Sequence, residues 1–485
     1  MSHEDRVSVA SPQAPRTDAT RGLARRLGLF DSTMIVMGGI VGSGIFINPY
    51  VVARQVHTPA LILGAWALGG LIALGGAFAY AELAALRPEV GGQYAYLREA
   101  YHPAVAFVYG WALLLVTQTG GMAAVAVTFA HYFLELAPWH VAPWAVATLA
   151  IAGLTLVNCF GVRAGAATQS ALMVTKIVAI AALVVCGWLL IHPAPAGRVA
   201  ILDRPLSLDF VTAMGAAMVP VLFAYGGWQT ASFVAGEMRE PEKNLPRGLL
   251  LGVLGVIILY LAVNFVSVRA LRPEGLASTT TPASQVMLLA LGKRGAALLA
   301  VGIAVSTLGF LSQSILTAPR VYFAMATDGV FFKRVAWLHP RTRVPVVAIA
   351  LQGVLAVIIA VSGKYEQILN YVVSTDFIFF GLTATCIFVF RRRGAKPGDA
   401  VLDATTRRPN TSERDMIDGR NAAALREAAF RMPGYPVTTA LFTAACWLVV
   451  INTLYRYPKN SSIGLGIVLA GIPVYFLWGR ERSRR

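Results

Sequence analysis

Apolar stretches recur along the chain from Thr33 to Trp478, separated by shorter segments that carry Arg, Glu, Asn and Pro. About 20 apolar residues coiled as a helix match the hydrocarbon core of a bilayer. The pattern predicts twelve spans, at about 31–56, 60–86, 104–136, 141–160, 167–191, 210–235, 248–268, 295–326, 344–361, 367–390, 435–455 and 463–478. Polar sequence lies outside them: a tail over 1–27, an insert over 396–431 and a basic terminus over 481–485. Residues 23–30 mix arginines with leucines as an interfacial helix does, and the connection 87–103, through its stretch 91–98, reads as a short amphipathic helix on the membrane surface. The fold class is an all-α polytopic membrane protein.

Two places interrupt this pattern. Gly38, Gly39, Gly42 and Gly44 fall within seven residues of the first span, and each glycine opposes a helix by roughly 1 kcal/mol relative to alanine. Ala224-Tyr225-Gly226-Gly227-Trp228 interrupts the sixth. Backbone freed inside a bilayer survives only where protein or a polar cavity covers it. Small-residue packing between helices accounts for one such stretch alone. Two breaks five spans apart lie in helices that cross in opposite directions, the pointer to a binding site between two inverted halves. Those halves cover about 31–191 and 210–390, with the last two spans outside them.

Composition agrees with the pattern. The chain of 485 residues is 56% hydrophobic and 13% charged, against about 25% charged in soluble proteins. Its net charge of +17 sits in clusters beside apolar segments, at Arg21, Arg25 and Arg26, at 391–393 and after Arg480, which argues against nucleic acid as a partner. Most of the 41 Lys and Arg fall on one side if the N-terminus is cytoplasmic, placing both termini there. Cys159, Cys186, Cys386 and Cys446 lie in or beside apolar segments without metal-ligand spacing and read as packing residues. His57, His102 and His131 show no relay spacing.

An amino acid zwitterion suits the two breaks. N–H groups of Ser43, Gly44 and Ile45 open a half-helix whose positive end attracts a carboxylate. Carbonyls around Ile40 and Val41, and from Phe223 through Ala224 to Tyr225, suit an ammonium. No acid accompanies Gly226 and Gly227, which favours a neutral substrate. Lys176 lies within the fifth span and Asp376 within the tenth; charges there are expensive and usually face the bundle interior. A lysine near a helix end also snorkels. Asp376 is a possible proton site, a partner for a cation or a pathway-lining group, with hydrogen bonding inside the bundle as the plain alternative. Glu82 and Glu237 are expected to pair with Arg87, Arg98 or Arg239. A channel lacks the continuous polar lining it would need, and an enzyme lacks an acid–base or metal cluster. No cofactor is expected.

The motifs resemble the amino acid–polyamine–organocation superfamily, and within it the L-type amino acid transporters. The resemblance rests on 42–46, on Tyr80-Ala81-Glu82-Leu83 with Pro88 and Gly91-Gly92, on 223–228, on Glu237-Met238 through Asn244-Leu245-Pro246, and on Arg320 with Ala326, Asp328 and Gly329. It implies a LeuT-like inverted repeat of five plus five helices with discontinuous helices 1 and 6. It also implies sodium-independent amino acid exchange or uptake in the cell membrane. Phe223 would then be an aromatic lid and Trp228 would shape the side-chain pocket. Lys176 would place its ammonium where sodium-coupled relatives hold a cation, beside Ser306 and Thr307. The resemblance leaves open an accessory subunit, homo-oligomer formation, a proton-coupled symporter and a sensor that binds without transporting. The insert over 396–431 is longer than the family pattern; it reads as a mobile loop or a regulatory site.

Overall fold

Proline starts many of the long helices. Pro59, Pro103, Pro143, Pro241, Pro282 and Pro319 each stand at a first helical turn, where the missing N–H has no carbonyl to bond and the fixed φ already suits the helix. Thr58 adds an N-cap, its Oγ1 accepting from the Leu61 N–H at 3.2 Å. The computed structural model describes residues 26–87, 91–136, 141–192, 201–202, 205–279, 281–362, 365–394, 430–456 and 458–482. Most of the expected polar tail, the insert from 396 to 429 and the terminus beyond 482 lie outside the described residues.

The elements in order are α1 (Leu29–Ile40), α2 (Gly44–Gln55), α3 (Pro59–Leu86), α4 (Gln93–Ala100) and α5 (Pro103–Ala112). A π-helical turn, Leu113–Thr117, joins α5 to α6 (Gln118–Leu136); α7 (Pro143–Cys159), α8 (Val162–Leu190) and α9 (Leu208–Tyr225) follow. A 3-10 segment, Trp228–Glu237, continues α9 beyond its break. Then come α10 (Pro241–Ser278), α11 (Pro282–Thr317), α12 (Pro319–Thr327), α13 (Val346–Ser362), α14 (Tyr365–Arg392), α15 (Val437–Arg456) and α16 (Pro458–Arg482). Among the described residues, eight helices or joined helices are long and apolar enough to cross a membrane, and the bent pair α1–α2 makes a ninth. This is a multi-pass helical membrane protein.

The broken elements sit at the centre. α1 packs on α10 and the 3-10 segment, α2 packs on α9, and α3 lies between α9 and α10. α8 packs along α11, while α6 touches α11, α13 and α14. Large apolar side chains such as Leu149, Val178, Ile258 and Leu448 face outward, as lipid contact requires.

Three sequence expectations are corrected. Arg26–Gly28 is not helical: the N–H groups of Arg26 and Leu27 bond the Glu237 carbonyl at 2.8 and 3.0 Å, and Arg239 N–H bonds the Leu27 carbonyl at 2.8 Å. The chain is held there by a neighbouring segment, so the helix starts only at Leu29. α4 is helical but does not lie on the surface. Gln93, Tyr94, Ala95, Tyr96, Leu97 and Ala100 are buried, and Gln93 Nε2 donates to the Phe379 carbonyl at 3.1 Å. Glu82 and Glu237 pair with residues far along the chain. Arg391 grips Glu82 through two bonds of 2.7 and 2.8 Å, and Arg320 Nε donates to Glu237 Oε1 at 2.6 Å with both side chains buried. Partners brought by the fold displaced the neighbours that sequence proximity suggested.

Candidate functional site

The two breaks meet back to back. Gly227 has φ +106°, a conformation that favours glycine, and a Cβ on it would lie 2.0 Å from the Gly39 carbonyl oxygen. A Cβ on Gly39 would lie 2.7 Å from the Gly227 oxygen. Only residues without side chains allow this backbone crossing. α1 and α2 bend by 41° at the first break, and α9 ends at the second.

Much of the freed backbone finds partners within the protein. Tyr260 Oη from α10 lies 3.1 Å from the Ile40 carbonyl oxygen and 3.0 Å from that of Ala224, so one phenol ties both breaks together. Lys176 Nζ donates to the Val41 carbonyl and lies against Gly309 of α11; it is buried. Ser306 Oγ reaches the Gly42 carbonyl at 3.5 Å. Thr307 Oγ1 instead bonds the Ile303 and Ala304 carbonyls of its own helix, at 3.1 and 2.8 Å. Asn48 Nδ2 donates to the Pro220 carbonyl at 2.7 Å, fastening α2 to α9.

A cavity of about 740 Å3 of empty space opens beside the crossing. Ile40, Ser43, Gly44, Phe223, Ala224 and Gly226 line it, and so does Asp376. The start of α2 at Gly44 presents N–H groups with no carbonyl one turn earlier, and the last turn of α9 presents carbonyls that have lost their α-helical partners, that of Phe223 accepting instead from the Gly226 N–H at 3.2 Å. A positive helix end and a negative one therefore flank the same space. Ser43 Oγ is buried without a partner. Val41 and Ile45 are buried outside the wall. Tyr225 and Trp228 line a second, smaller cavity of about 230 Å3 with Phe377, Phe380 and Phe442; the Trp228 ring stands edge-on to Tyr80 at 4.7 Å.

Sequence reasoning missed much of the wall. Thr117 and Gln118 come from the π turn and the start of α6; Gln313, Ser314 and Phe310 come from α11; Val373, Phe377 and Phe380 come from α14. The polar amides within apolar spans, Gln118 and Gln313, were the available signal. Gln313 Nε2 hydrogen-bonds Thr230 Oγ1, which in turn donates to the Gly227 carbonyl at 2.7 Å.

Away from the cavity, the end of α3, α4, the 3-10 segment, α12 with its C-cap Asp328 and the end of α14 carry a set of ion pairs. Besides Glu82–Arg391 and Glu237–Arg320, Arg98 Nη1 lies 2.5 Å from Asp328 Oδ2. Tyr94 donates to the same oxygen at 2.8 Å. Burial, then the Asp328 charge, pushes the Tyr94 phenol well above its ordinary pKa, so it stays a donor.

Broken helices around a central cavity in a multi-pass bundle define a membrane carrier of small polar solutes. The family model for amino acid permeases matches residues 27–478, and the chain belongs to that family. It is 29% identical to the serine/threonine exchanger SteT of Bacillus subtilis over 461 residues, covering 94% of this chain and 97% of the relative. The large neutral amino acids transporter small subunit 2 of Rattus norvegicus is 28% identical over 487 residues, 98% of this chain and 85% of its own. The human b(0,+)-type amino acid transporter 1 is 29% identical over 397 residues, 80% of each chain.

Proposed function

We propose that this protein is a sodium-independent, alternating-access exchanger or uniporter for neutral L-amino acids in the cell membrane. One observation carries the reading: the N-terminal end of α2 and the C-terminal end of α9 flank one cavity, the charge pattern a zwitterion needs. The carboxylate bonds the N–H groups of Ser43, Gly44 and Ile45. The ammonium bonds carbonyls at the breaks, from the Ile40–Val41 pair and from the end of α9 at Phe223 to Tyr225, where a carbonyl oxygen can accept a second hydrogen bond beside the one it receives from Tyr260, Lys176 or Gly226. Phe223 covers the substrate, and Tyr225 and Trp228 back the wall from the smaller cavity. Neutral substrates agree with the names of the serine/threonine and large neutral amino acid relatives. No catalytic chemistry is part of this reading.

Sodium independence is supported by Lys176, whose ammonium bonds the Val41 carbonyl at the first break and lies against Gly309 of α11. Twelve spans are supported by three shorter apolar helices, Pro143–Cys159, Val346–Val361 and Ser461–Leu477, added to the nine candidates. The inverted repeat is supported by matching contacts. The α1–α10 packing has a counterpart in α9–α3, and α8–α11 has one in α14–α6. Both termini are cytoplasmic in this reading, and relatives named as small subunits motivate a search for an accessory chain.

Purified protein in sodium-free liposomes tests the proposal. Labelled neutral amino acid enters when unlabelled amino acid is inside, and added sodium changes nothing. Binding without flux would make the protein a sensor instead. Asp376 in the cavity wall favours a second reading, a proton-coupled symporter, which predicts accumulation into empty liposomes under an inward proton gradient.

A further inference from the structure

The connection from α12 to α13, residues 328–345, leads from the joined span Pro282–Thr327 to the apolar helix Val346–Val361, so it turns at the membrane surface. It is firmly held. Phe331 and Val335 are buried, and the 3-10 turn Lys333–Ala336 packs on α12 and α13. Val335 N–H bonds the Phe332 carbonyl at 2.9 Å, Trp337 N–H the Arg334 carbonyl at 3.1 Å, and His339 N–H the Val344 carbonyl at 3.0 Å. His339 Nδ1 also accepts from the Thr342 N–H at 3.2 Å. Held this way, the connection turns Phe332 and Trp337 outward, 56% and 48% exposed. Three cations flank these rings: Lys333, Arg334 and Arg341 are exposed and make no ion pair among the described residues. The one acid of the connection, Asp328, is already held by Arg98 and Tyr94. Outward rings among unpaired cations match the boundary where acyl chains give way to anionic headgroups. A soluble acidic partner would answer the cations but leave the rings without an apolar phase.

We propose that residues 331–341 form a docking surface for anionic phospholipid, in the leaflet that the proposed orientation makes cytoplasmic. Phe332 and Trp337 seat at the upper ends of the acyl chains, and Lys333, Arg334 and Arg341 hold the headgroup phosphates. The connection starts at Asp328, whose carboxylate pairs with Arg98, and its 3-10 turn packs on α12, which supplies Arg320 to Glu237. Lipid held on this surface therefore stabilises the ion-paired end of the protein. The inference goes beyond the transport reading and is independent of what the cavity carries.

The test uses full-length protein in detergent micelles supplemented with phosphatidylglycerol or with phosphatidylcholine of the same chains. Phosphatidylglycerol is expected to raise the melting midpoint by about 3 °C over phosphatidylcholine, as a ligand of the folded state does, and high salt to shrink that shift. Combining Lys333→Gln, Arg334→Gln and Arg341→Gln is expected to cut the shift at least by half, and Trp337→Ala to reduce it as well. Lys293→Gln with Arg294→Gln, exposed cations of α11, is expected to keep it in full. If the triple variant melts too early to compare, the ratio of phosphatidylglycerol to phosphatidylcholine retained through purification replaces the melt, expected at least twofold higher in the parent. Glycerophosphate, which carries the charge without the chains, is expected to give no shift; an equal shift would assign the cations to a free anion and overturn the lipid. No preference for phosphatidylglycerol in the parent overturns the surface, as does a preference that the triple variant keeps or that the α11 pair removes equally. Transport measurements stand apart from every one of these outcomes.

Discussion

Gly227 and Lys176 show two ways in which single residues hold the first break. At Gly227 the requirement is space and a left-handed backbone, so Gly227→Ala drives a methyl group into the Gly39 carbonyl. Exchange is expected to be lost while the protein still inserts in the membrane, read by surface biotinylation beside uptake. At Lys176 the requirement is a donor. Lys176→Met keeps the aliphatic stem but leaves the buried Val41 carbonyl with one partner fewer, a cost of about 1–3 kcal/mol. A lower melting midpoint in detergent checks this. Lys176 was legible in the sequence because a charge inside an apolar run stands out. Tyr260 was not: a tyrosine in a span reads as packing, and its role depends on carbonyls 220 and 36 positions away.

At the scale of elements, the breaks were visible because glycine clusters oppose helix formation wherever they fall. The π turn at Leu113–Thr117 was not, since its residues are ordinary helix formers and only the tertiary setting imposes the extra residue. That turn leads directly into the cavity-lining Thr117 and Gln118, which is why the third span's facing could not be read. The ion pairs failed for a related reason: Glu237 and Arg320 are 83 residues apart. Arg320→Met leaves the Glu237 charge buried and alone, which costs about 3–5 kcal/mol. Combining it with Glu237→Gln is expected to restore most of the loss, measured by thermal melting of both variants against the parent.

For the whole molecule, the apolar pattern gave the multi-pass helical class, which nine candidate spans among the described residues bear out, because the bilayer demands helices of a narrow range of lengths. The proposed orientation has a direct check in a background without the native cysteines. Thr279→Cys and Lys459→Cys are expected to react with a membrane-impermeant maleimide on intact cells, and Lys333→Cys only after permeabilisation. The reverse pattern would invert the topology. The two helices outside the repeat, α15 and α16, are integrated with it: Phe442 of α15 reaches the Trp228 ring at 6.3 Å and lines the smaller cavity.

Glu237 joins more of the chain than any one of these contacts implies. Its carbonyl receives the N–H groups of Arg26 and Leu27, and its carboxylate holds Arg320. The segment before α1, the end of the 3-10 segment and the start of α12 thus share one fastening point. Freeing any one of them exposes main-chain groups or strands a buried charge, so a half-released arrangement gains little and forfeits much. The expected behaviour at this end of the protein is cooperative: a process that unfastens it should release the three segments in one kinetic event instead of a graded series.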